Sequence, residues 1–201
     1  MIIGILGAAG ATGQQIVRQA LAAGHRVRAL ARRPLDISNA NLELLIGDAT
    51  DATSIARLAE GCDVVVSALG PSKRDRDVCG SAARHVIAAG VKRYVSVSGA
   101  GLELTGDRRG LGGRAISWLI KRMVPFVYDD KANEYAILKD SGTAWTLVRP
   151  PRLVDGEGSG HPRVGIDRLP GFTIARADVA RFVLNCCADN SYVRQAPFIA
   201  A

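Results

Sequence analysis

A glycine-rich turn near the start of the chain constrains the fold more than any other feature. Residues 1–6 (MIIGIL) are an apolar run typical of a short buried strand, and residues 7–13 (GAAGATG) follow at once and open a stretch with helical apolar spacing. In such a turn the first glycine permits a tight bend, the second lets the main chain approach a pyrophosphate, and the third allows close helix–strand packing. The N–H groups and positive dipole end of the helix attract phosphate. The stretch therefore predicts a dinucleotide-binding site.

Alternating patterns along the whole chain predict the fold class. An alternating stretch at residues 26–31 predicts a second strand, and further strands are predicted at residues 41–46, 62–69, 91–98 and 145–149. Amphipathic stretches predict helices around 55–58, at 75–89, 115–123 and 129–139, and from 176 onward. This alternation indicates an α/β protein with a Rossmann-type doubly wound parallel sheet. We expect one domain over residues 1–201, with short C-terminal elements on the substrate side and a last run, 196–200, that closes the sheet.

Charge and composition narrow the class of ligand. The formal charge of +7 is spread along the chain, and aromatic residues make up only 5% of it. A base-stacking surface for nucleic acid is therefore not expected, whereas a basic rim that attracts an anionic cofactor accounts for the same charge.

The cysteines and the absence of long apolar runs predict the compartment. Cys62, Cys79, Cys186 and Cys187 have neither zinc-ligand spacing nor the pattern of a disulfide framework, so no metal site is expected. We expect no signal segment, and no run approaches the roughly 18 apolar residues that span a bilayer. We expect a cytoplasmic protein without a membrane partner.

Two arginines at the end of the second predicted strand favour NADP(H) over NAD(H). In a dinucleotide fold an acid at this point accepts from the ribose 2′-hydroxyl, whereas an arginine accommodates a 2′-phosphate. Here Arg32 and Arg33 occupy the strand end, and no acid precedes Asp36. The alternative is a solvated turn in an arginine-rich protein.

Other strand ends predict contacts with the rest of the cofactor. Asp48 follows the third strand, where its carboxylate can accept from an adenine amino group, while Asp51 is placed to cap the next helix. The small residues 67–71 would let a cofactor lie flat against the main chain. His85 falls on the inner face of a predicted helix, which favours a partly buried structural residue over an acid.

The later strand ends predict the substrate side. Ser98 stands at the carboxyl end of the fifth strand, where ligands bind in such sheets, although capping of the strand end explains it equally well. Glycine-rich stretches at 99–113 and 155–160 predict a mobile loop and a second loop over the site. Pro150 and Pro151 predict a rigid bend near the nicotinamide end.

These motifs together resemble a known family. The residues that carry the resemblance are 7–13, 47–48, 92–98 (KRYVSVS), 131–142, 147–150 (LVRP) and 177–180 (ADVA). They resemble the NAD(P)-binding, NmrA-like group of atypical short-chain dehydrogenase/reductases. Within that group the chain is most similar to the small flavin reductase/biliverdin-IXβ reductase type, because Asp129, Asp130, Leu138, residues 141–142 and Asp178 follow in the same order.

The resemblance implies roles for individual residues. Gly10 to Gly13 would hold the pyrophosphate, Arg32 with Arg33 the 2′-phosphate, and Pro150 would line the nicotinamide. The residues expected to bind NADP(H) are Gly7, Gly10, Ala11, Thr12, Gly13, Arg32, Arg33, Asp48, Ala49, Ala68, Leu69, Gly70, Lys131 and Pro150. The expected catalytic residues are Ser98 and Lys131, with Ser98 bonded to substrate and Lys131 bonded to the nicotinamide ribose or an acidic substrate group.

The family's Tyr-x-x-x-Lys pair, in which the lysine lowers the pKa of a proton-donating tyrosine, is incomplete here. Lys131 fits the lysine, but Val127 occupies the tyrosine position. Tyr128 is one residue off, which displaces it by about 100° on a helix. Tyr135 and Lys139 have the spacing but come too late, and we interpret them as a coincidence. We therefore expect no tyrosine acid.

The sequence is compatible with three functions. The first is an NADPH-dependent reductase that transfers hydride to a flavin, quinone or linear tetrapyrrole, whose delocalised acceptor can take its proton from water. The second is a non-catalytic NADP(H)-sensing regulatory protein of the NmrA-like kind. The third is a carbonyl reductase or epimerase that uses Tyr128 or Tyr135. His161 is a weaker candidate proton donor, and the sequence predicts no oligomeric state.

Overall fold

A single parallel sheet organises the protein. The computed structural model describes residues 1–108, 118 and 121–201. The sheet strands are β1 (Ile2–Leu6), β2 (Arg26–Ala31), β3 (Leu42–Ile46), β4 (Val64–Ser67), β5 (Arg93–Val97) and β6 (Ala144–Val148). They lie in the order β3-β2-β1-β4-β5-β6, and every neighbouring pair is parallel. The strand order reverses between β1 and β4, which creates a crevice at their carboxyl ends where ligands bind in such sheets.

Helices cover both faces of the sheet and form two cores. They are α1 (Ala11–Ala22), α2 (Ala52–Ala59), α3 (Val78–Ala88), α4 (Pro125–Lys139) and α5 (Arg176–Ala188). One core packs α1 and α5 against the sheet, and the other packs α2, α3 and α4 against the opposite face. The predicted doubly wound α/β fold is therefore confirmed. None of the helices in the described part of the chain is long and apolar enough to cross a membrane.

The C-terminal strands form two small sheets of their own. β7 (Arg152–Val154) pairs in parallel with β9 (Thr173–Ala175), and β8 (Arg163–Gly165) pairs antiparallel with β10 (Phe198–Ala200). The prediction that residues 196–200 close the main sheet is thus wrong, since this segment meets β6 only through isolated bridges. Pro197 explains the interruption: Leu147 donates to Gln195 and Arg149 donates to Pro197, but Pro197 has no N–H to return a bond.

The residues at the helix starts explain where the observed helix boundaries agree with the predicted ones and where they differ. α4 begins at Pro125, four residues before the predicted start, because proline suits the first helical position. Asp51 caps α2 as predicted, accepting from the main chain of Thr53 and Ser54. The predicted helix over 115–123 falls mostly outside the described residues.

A buried aspartate joins two helices of the same core. Asp130 lies on α4, is 2% exposed, and accepts from the main-chain N–H groups of Cys79 (3.0 Å) and Gly80 (2.9 Å) at the start of α3. Asp77, at the N-cap position of α3, makes no capping bond itself. The carboxylate therefore caps α3 from a neighbouring helix, which fixes the start of α3 relative to α4.

We expect Asp130→Ala to lower the free energy of unfolding by about 2–3 kcal/mol, because it leaves two buried N–H groups without their charged acceptor. Urea unfolding followed by circular dichroism measures the change. The matched control is Asp129→Ala on the same helix, where the side chain is exposed. Equal losses in the two variants would contradict the capping role.

Candidate functional site

The glycine turn after β1 is too tightly packed for side chains at two of its positions. Gly7 has a φ of +73°, and a Cβ there would lie 2.8 Å from the main-chain oxygen of Ala68 at the end of β4. A Cβ on Gly13 would collide with the carbonyl of Gly7. The turn therefore brings α1 directly against the ends of β1 and β4. These contacts are the ones a dinucleotide-binding turn requires, and the residues present fit such a cofactor.

Gly10 occupies the outer corner of the turn. It is exposed, has a φ of −75°, and is the N-cap of α1, whose first turn holds no acidic residue. A Cβ on Gly10 would meet only the carbonyl of Gly7, at 3.3 Å. This contact is tight, so the main chain of the turn must shift slightly to admit a methyl group, and an anion seated on the helix N-terminus would also meet that methyl group.

The predicted adenosine-side residues lie at the carboxyl ends of β2 and β3. Arg32 and Arg33 are exposed, and Arg32 Nη1 lies 2.8 Å from Asp75 Oδ2. Asp48 Oδ1 accepts from the main-chain N–H (2.8 Å) and hydroxyl (2.7 Å) of Thr50. These two bonds, helped by the charge of Arg32, lower the pKa of Asp48. Sequence reasoning missed Asp75, because nothing near it in the chain indicates the pairing.

Lys131 is buried at the carboxyl ends of β4 and β5. Its ammonium donates to the main-chain oxygens of Leu69 (3.1 Å) and Val97 (2.9 Å) and to Glu134 Oε2 (3.0 Å). Burial is the largest single influence and lowers the pKa of Lys131, but Glu134 and Cys79 together outweigh burial and raise the pKa above its usual value. The expected bond from Lys131 to a ribose or substrate stays a prediction, and it would have to replace one of these three.

Glu134 centres a polar network that sequence reasoning missed. It is 0% exposed and accepts from the hydroxyls of Ser96 (2.5 Å) and Tyr94 (3.3 Å) as well as from Lys131. Burial, with Glu134 beside it, raises the pKa of Tyr94. The available signal was the three-residue spacing of Lys131 and Glu134, which places both on one face of a helix. The network ties α4 to β5 next to the predicted site.

Ser98 follows β5, and the oxygen of its hydroxyl is buried. Its main-chain N–H donates to Val148 (2.8 Å), while its hydroxyl oxygen is buried and has no partner among the described residues. Buried hydroxyls without partners are uncommon, and they are found where a ligand or water supplies the bond. The strand-end alternative is not favoured, since the main chain rather than the hydroxyl makes the strand-end bond.

One buried ion pair and one main-chain hydrogen bond hold the loop beside this edge. Arg149 binds both carboxylate oxygens of Asp107 (2.7 and 2.9 Å), and the main-chain oxygen of Pro150 accepts from Ala100 (2.8 Å). The part of the predicted mobile loop that the structure describes, residues 99–108, is therefore tied to the end of β6. Residues 109–113 of that prediction lie outside the described residues.

The second predicted loop is held in the same way. Asp178 on α5 is 0% exposed and accepts from the main chain of Ser159 (2.8 Å) and Gly160 (2.9 Å). A buried carboxylate thus fixes the loop over residues 155–160 against the start of α5. His161, at the end of this loop, is exposed.

Tyr135, Tyr128 and His85 each contact another residue of the protein. The Tyr135 ring is partly buried and packs edge-on against Trp145, with the ring centres 5.8 Å apart. Tyr128 lies under Lys121, whose Nζ is 4.3 Å from the ring centre. His85 is partly buried as predicted, with its Nε2 3.2 Å from the main-chain oxygen of Thr50. In the described ranges no group of three or more His, Cys, Asp or Glu residues could hold a metal ion.

Known proteins similar to this chain include nucleotide-binding ones, as the glycine turn predicts. A family model described as NAD(P)H-binding matches residues 7–190. The uncharacterized sugar epimerase YhfK of Bacillus subtilis is 29% identical over 200 residues, which cover 92% of this chain and 86% of YhfK.

Two solved structures share the fold over the whole chain. ChuY, an anaerobillin reductase of Escherichia coli O157:H7, has a TM-score of 0.79 and 20% identity, covering 100% of this chain and 97% of its own. SP1627 of Streptococcus pneumoniae, assigned as an NADH-flavin reductase, has a TM-score of 0.81 and 21% identity, covering 100% and 99%. The resemblance stated from sequence is confirmed for the NAD(P)-binding family and for the fold.

We expect Gly10→Ala to weaken NADP⁺ binding at least about tenfold, because the methyl group would stand where the main chain approaches a pyrophosphate. Isothermal titration measures the affinity. Gly142→Ala is the matched control, since a Cβ there meets nothing within 4 Å. Undiminished NADP⁺ binding in Gly10→Ala would place the phosphates elsewhere.

Proposed function

Because the chain belongs to the NAD(P)H-binding family whose model matches residues 7–190, we propose that it is an NADPH-dependent reductase of a flavin or another conjugated planar acceptor. Quinones and linear tetrapyrroles are the other acceptors of this class. The observation that carries the proposal is Val127, which stands four residues before Lys131 where a carbonyl-reducing relative would need a tyrosine acid.

The chemistry of such acceptors suits a site without an acid. Bound NADPH would supply a hydride from C4 of its nicotinamide, and a delocalised acceptor can then take its proton from water. The protein's part is to hold the cofactor and the acceptor face to face, so positioning accounts for most of the rate enhancement.

Each predicted cofactor residue has a role consistent with its place in the fold. The glycine turn would hold the pyrophosphate on the N-terminus of α1, and Arg32 with Arg33 would bind the 2′-phosphate. Asp48 and Ala49 would face the adenine, and residues 68–70 the inner ribose. Pro150, whose main chain is fixed by Ala100, would support the nicotinamide.

On the substrate side, the hydroxyl of Ser98, which has no partner among the residues that the structure describes, would bind a polar group of the acceptor. Lys131 would act mainly as a positioning residue, because its three bonds join the ends of β4 and β5 to α4. The names of ChuY and SP1627 support this proposal, since one refers to a tetrapyrrole and the other to a flavin. The name of YhfK refers to sugar epimerisation, and the assay below covers that possibility.

The test is anaerobic incubation of the purified protein with NADPH and, in turn, FMN, riboflavin, a benzoquinone and biliverdin, followed at 340 nm. We expect NADPH oxidation above background with at least one acceptor. Ser98→Ala should lower kcat/KM for that acceptor about tenfold, as expected for one lost hydrogen bond to substrate. Cofactor binding without oxidation of NADPH by any acceptor would instead favour an NADP(H) sensor or an epimerase.

We expect Arg32→Ala to weaken NADPH binding about tenfold or more and NADH binding little, because a charge-assisted bond to the 2′-phosphate is worth about 1.5–3 kcal/mol. Quenching of protein fluorescence by each nucleotide measures both affinities. Arg26→Ala is the matched control, since Arg26 is exposed at the opposite end of β2. Equal weakening of both nucleotides by Arg32→Ala would refute the preference for NADPH.

A further inference from the structure

The arginine expected to bind the 2′-phosphate already has an acidic partner from another part of the chain. Arg32 Nη1 lies 2.8 Å from Asp75 Oδ2, across 43 positions of sequence. Arg32 follows β2, and Asp75 lies in the turn between β4 and α3. Because β2 and β4 are the two neighbours of β1, the pair lies across the carboxyl end of β1. It therefore stands beside the glycine turn that begins there.

Asp75 is the more firmly placed member of the pair. Its side chain is 31% exposed, against 69% for Arg32. The turn around it is closed by two bonds with Ser72: the main-chain N–H of Asp75 donates to the Ser72 hydroxyl, and the Ser72 N–H donates to the Asp75 carbonyl, each at 3.1 Å. The carboxylate is thus positioned by its own turn, and Arg32 is the partner with freedom to move.

An anion that binds Arg32 must share the guanidinium with this carboxylate. A 2′-phosphate carries up to two negative charges, and a shared guanidinium would bring it close to Asp75. A 2′-hydroxyl carries no charge and meets no such repulsion. Exposed ion pairs are weak, so Asp75 cannot block a phosphate but can lower its affinity.

We propose that Asp75 is a specificity-determining residue that competes with the 2′-phosphate for Arg32 and so narrows the preference for NADPH over NADH. This inference rests on the proposed function, in which Arg32 meets the 2′-phosphate. Arg32 and Asp75, which follow different strands, would then together set how strongly the protein prefers NADPH to NADH.

The decisive variant is Asp75→Asn, which keeps the shape of the side chain and removes its charge. We expect the Kd for NADP⁺ to fall about three- to tenfold and the Kd for NAD⁺ to change less than twofold, as for repulsion across a solvated site. In 0.5 M salt the gain should shrink toward twofold, because screening acts on exposed charges. Isothermal titration of the wild type and the variant with NADP⁺ and NAD⁺, at both salt concentrations, measures these Kd values.

Glu43→Gln is the matched control. It also removes one negative charge from an ion pair, here between β2 and β3, in which Arg28 Nε lies 2.9 Å from Glu43 Oε2. Arg28 is four residues from Arg32, about 13 Å along an extended strand, which exceeds the screening length at physiological salt. We expect no change in either Kd for this variant.

The outcomes separate this inference from the proposed function. If Arg32→Ala weakens NADP⁺ but Asp75→Asn leaves the ratio of the two Kd values unchanged, Asp75 has no part in specificity and the inference fails alone. If Asp75→Asn weakens NADP⁺, Asp75 orients Arg32 instead of competing, and the inference also fails. If Arg32→Ala leaves NADP⁺ binding intact, the cofactor assignment itself is wrong. Thermal unfolding of each variant verifies that the fold is retained.

Discussion

The contact between the first helix and the first strand is the constraint on which the rest of this structure depends. Gly13 packs against the carbonyl of Gly7, and Gly7 packs against the main chain of Ala68 at the end of β4, the strand beside β1 in the sheet. No side chain fits at either position, so the start of α1 is brought to the point where the strand order reverses. The crevice and the exposed N-terminus of α1 both follow from this packing.

Buried charges then fix the parts that surround the crevice. Lys131 and Glu134 join α4 to the ends of β4 and β5, and Asp130 caps α3 from the same helix. Asp178 holds the loop over residues 155–160. Each of these groups has hydrogen-bonded partners, as a charge removed from water must. They preserve the shape of the site without necessarily touching a ligand.

Much of the fold and part of the candidate site could be predicted from the sequence. The glycine spacing, the alternation of apolar runs and the cap at Asp51 are local patterns, and the structure contains the corresponding turn, sheet and helix start. The prediction that residues 196–200 close the main sheet is wrong, because Pro197 has no N–H and so interrupts the pairing with β6. The apolar pattern of a segment predicts a strand but does not predict which other strand it pairs with.

The sequence by itself determined the turn at residues 7–13, the order of the elements and the arginines at the end of β2, because each depends on residues close together in the chain. Only the tertiary structure decided that Arg32 meets Asp75 and that Arg149 meets Asp107, pairs that are 43 and 42 positions apart. An ion pair between distant residues produces no periodic pattern in the sequence. Its partners meet because the strand order places their strand ends side by side. Backbone topology therefore sets the electrostatics of the site, while local sequence sets its position.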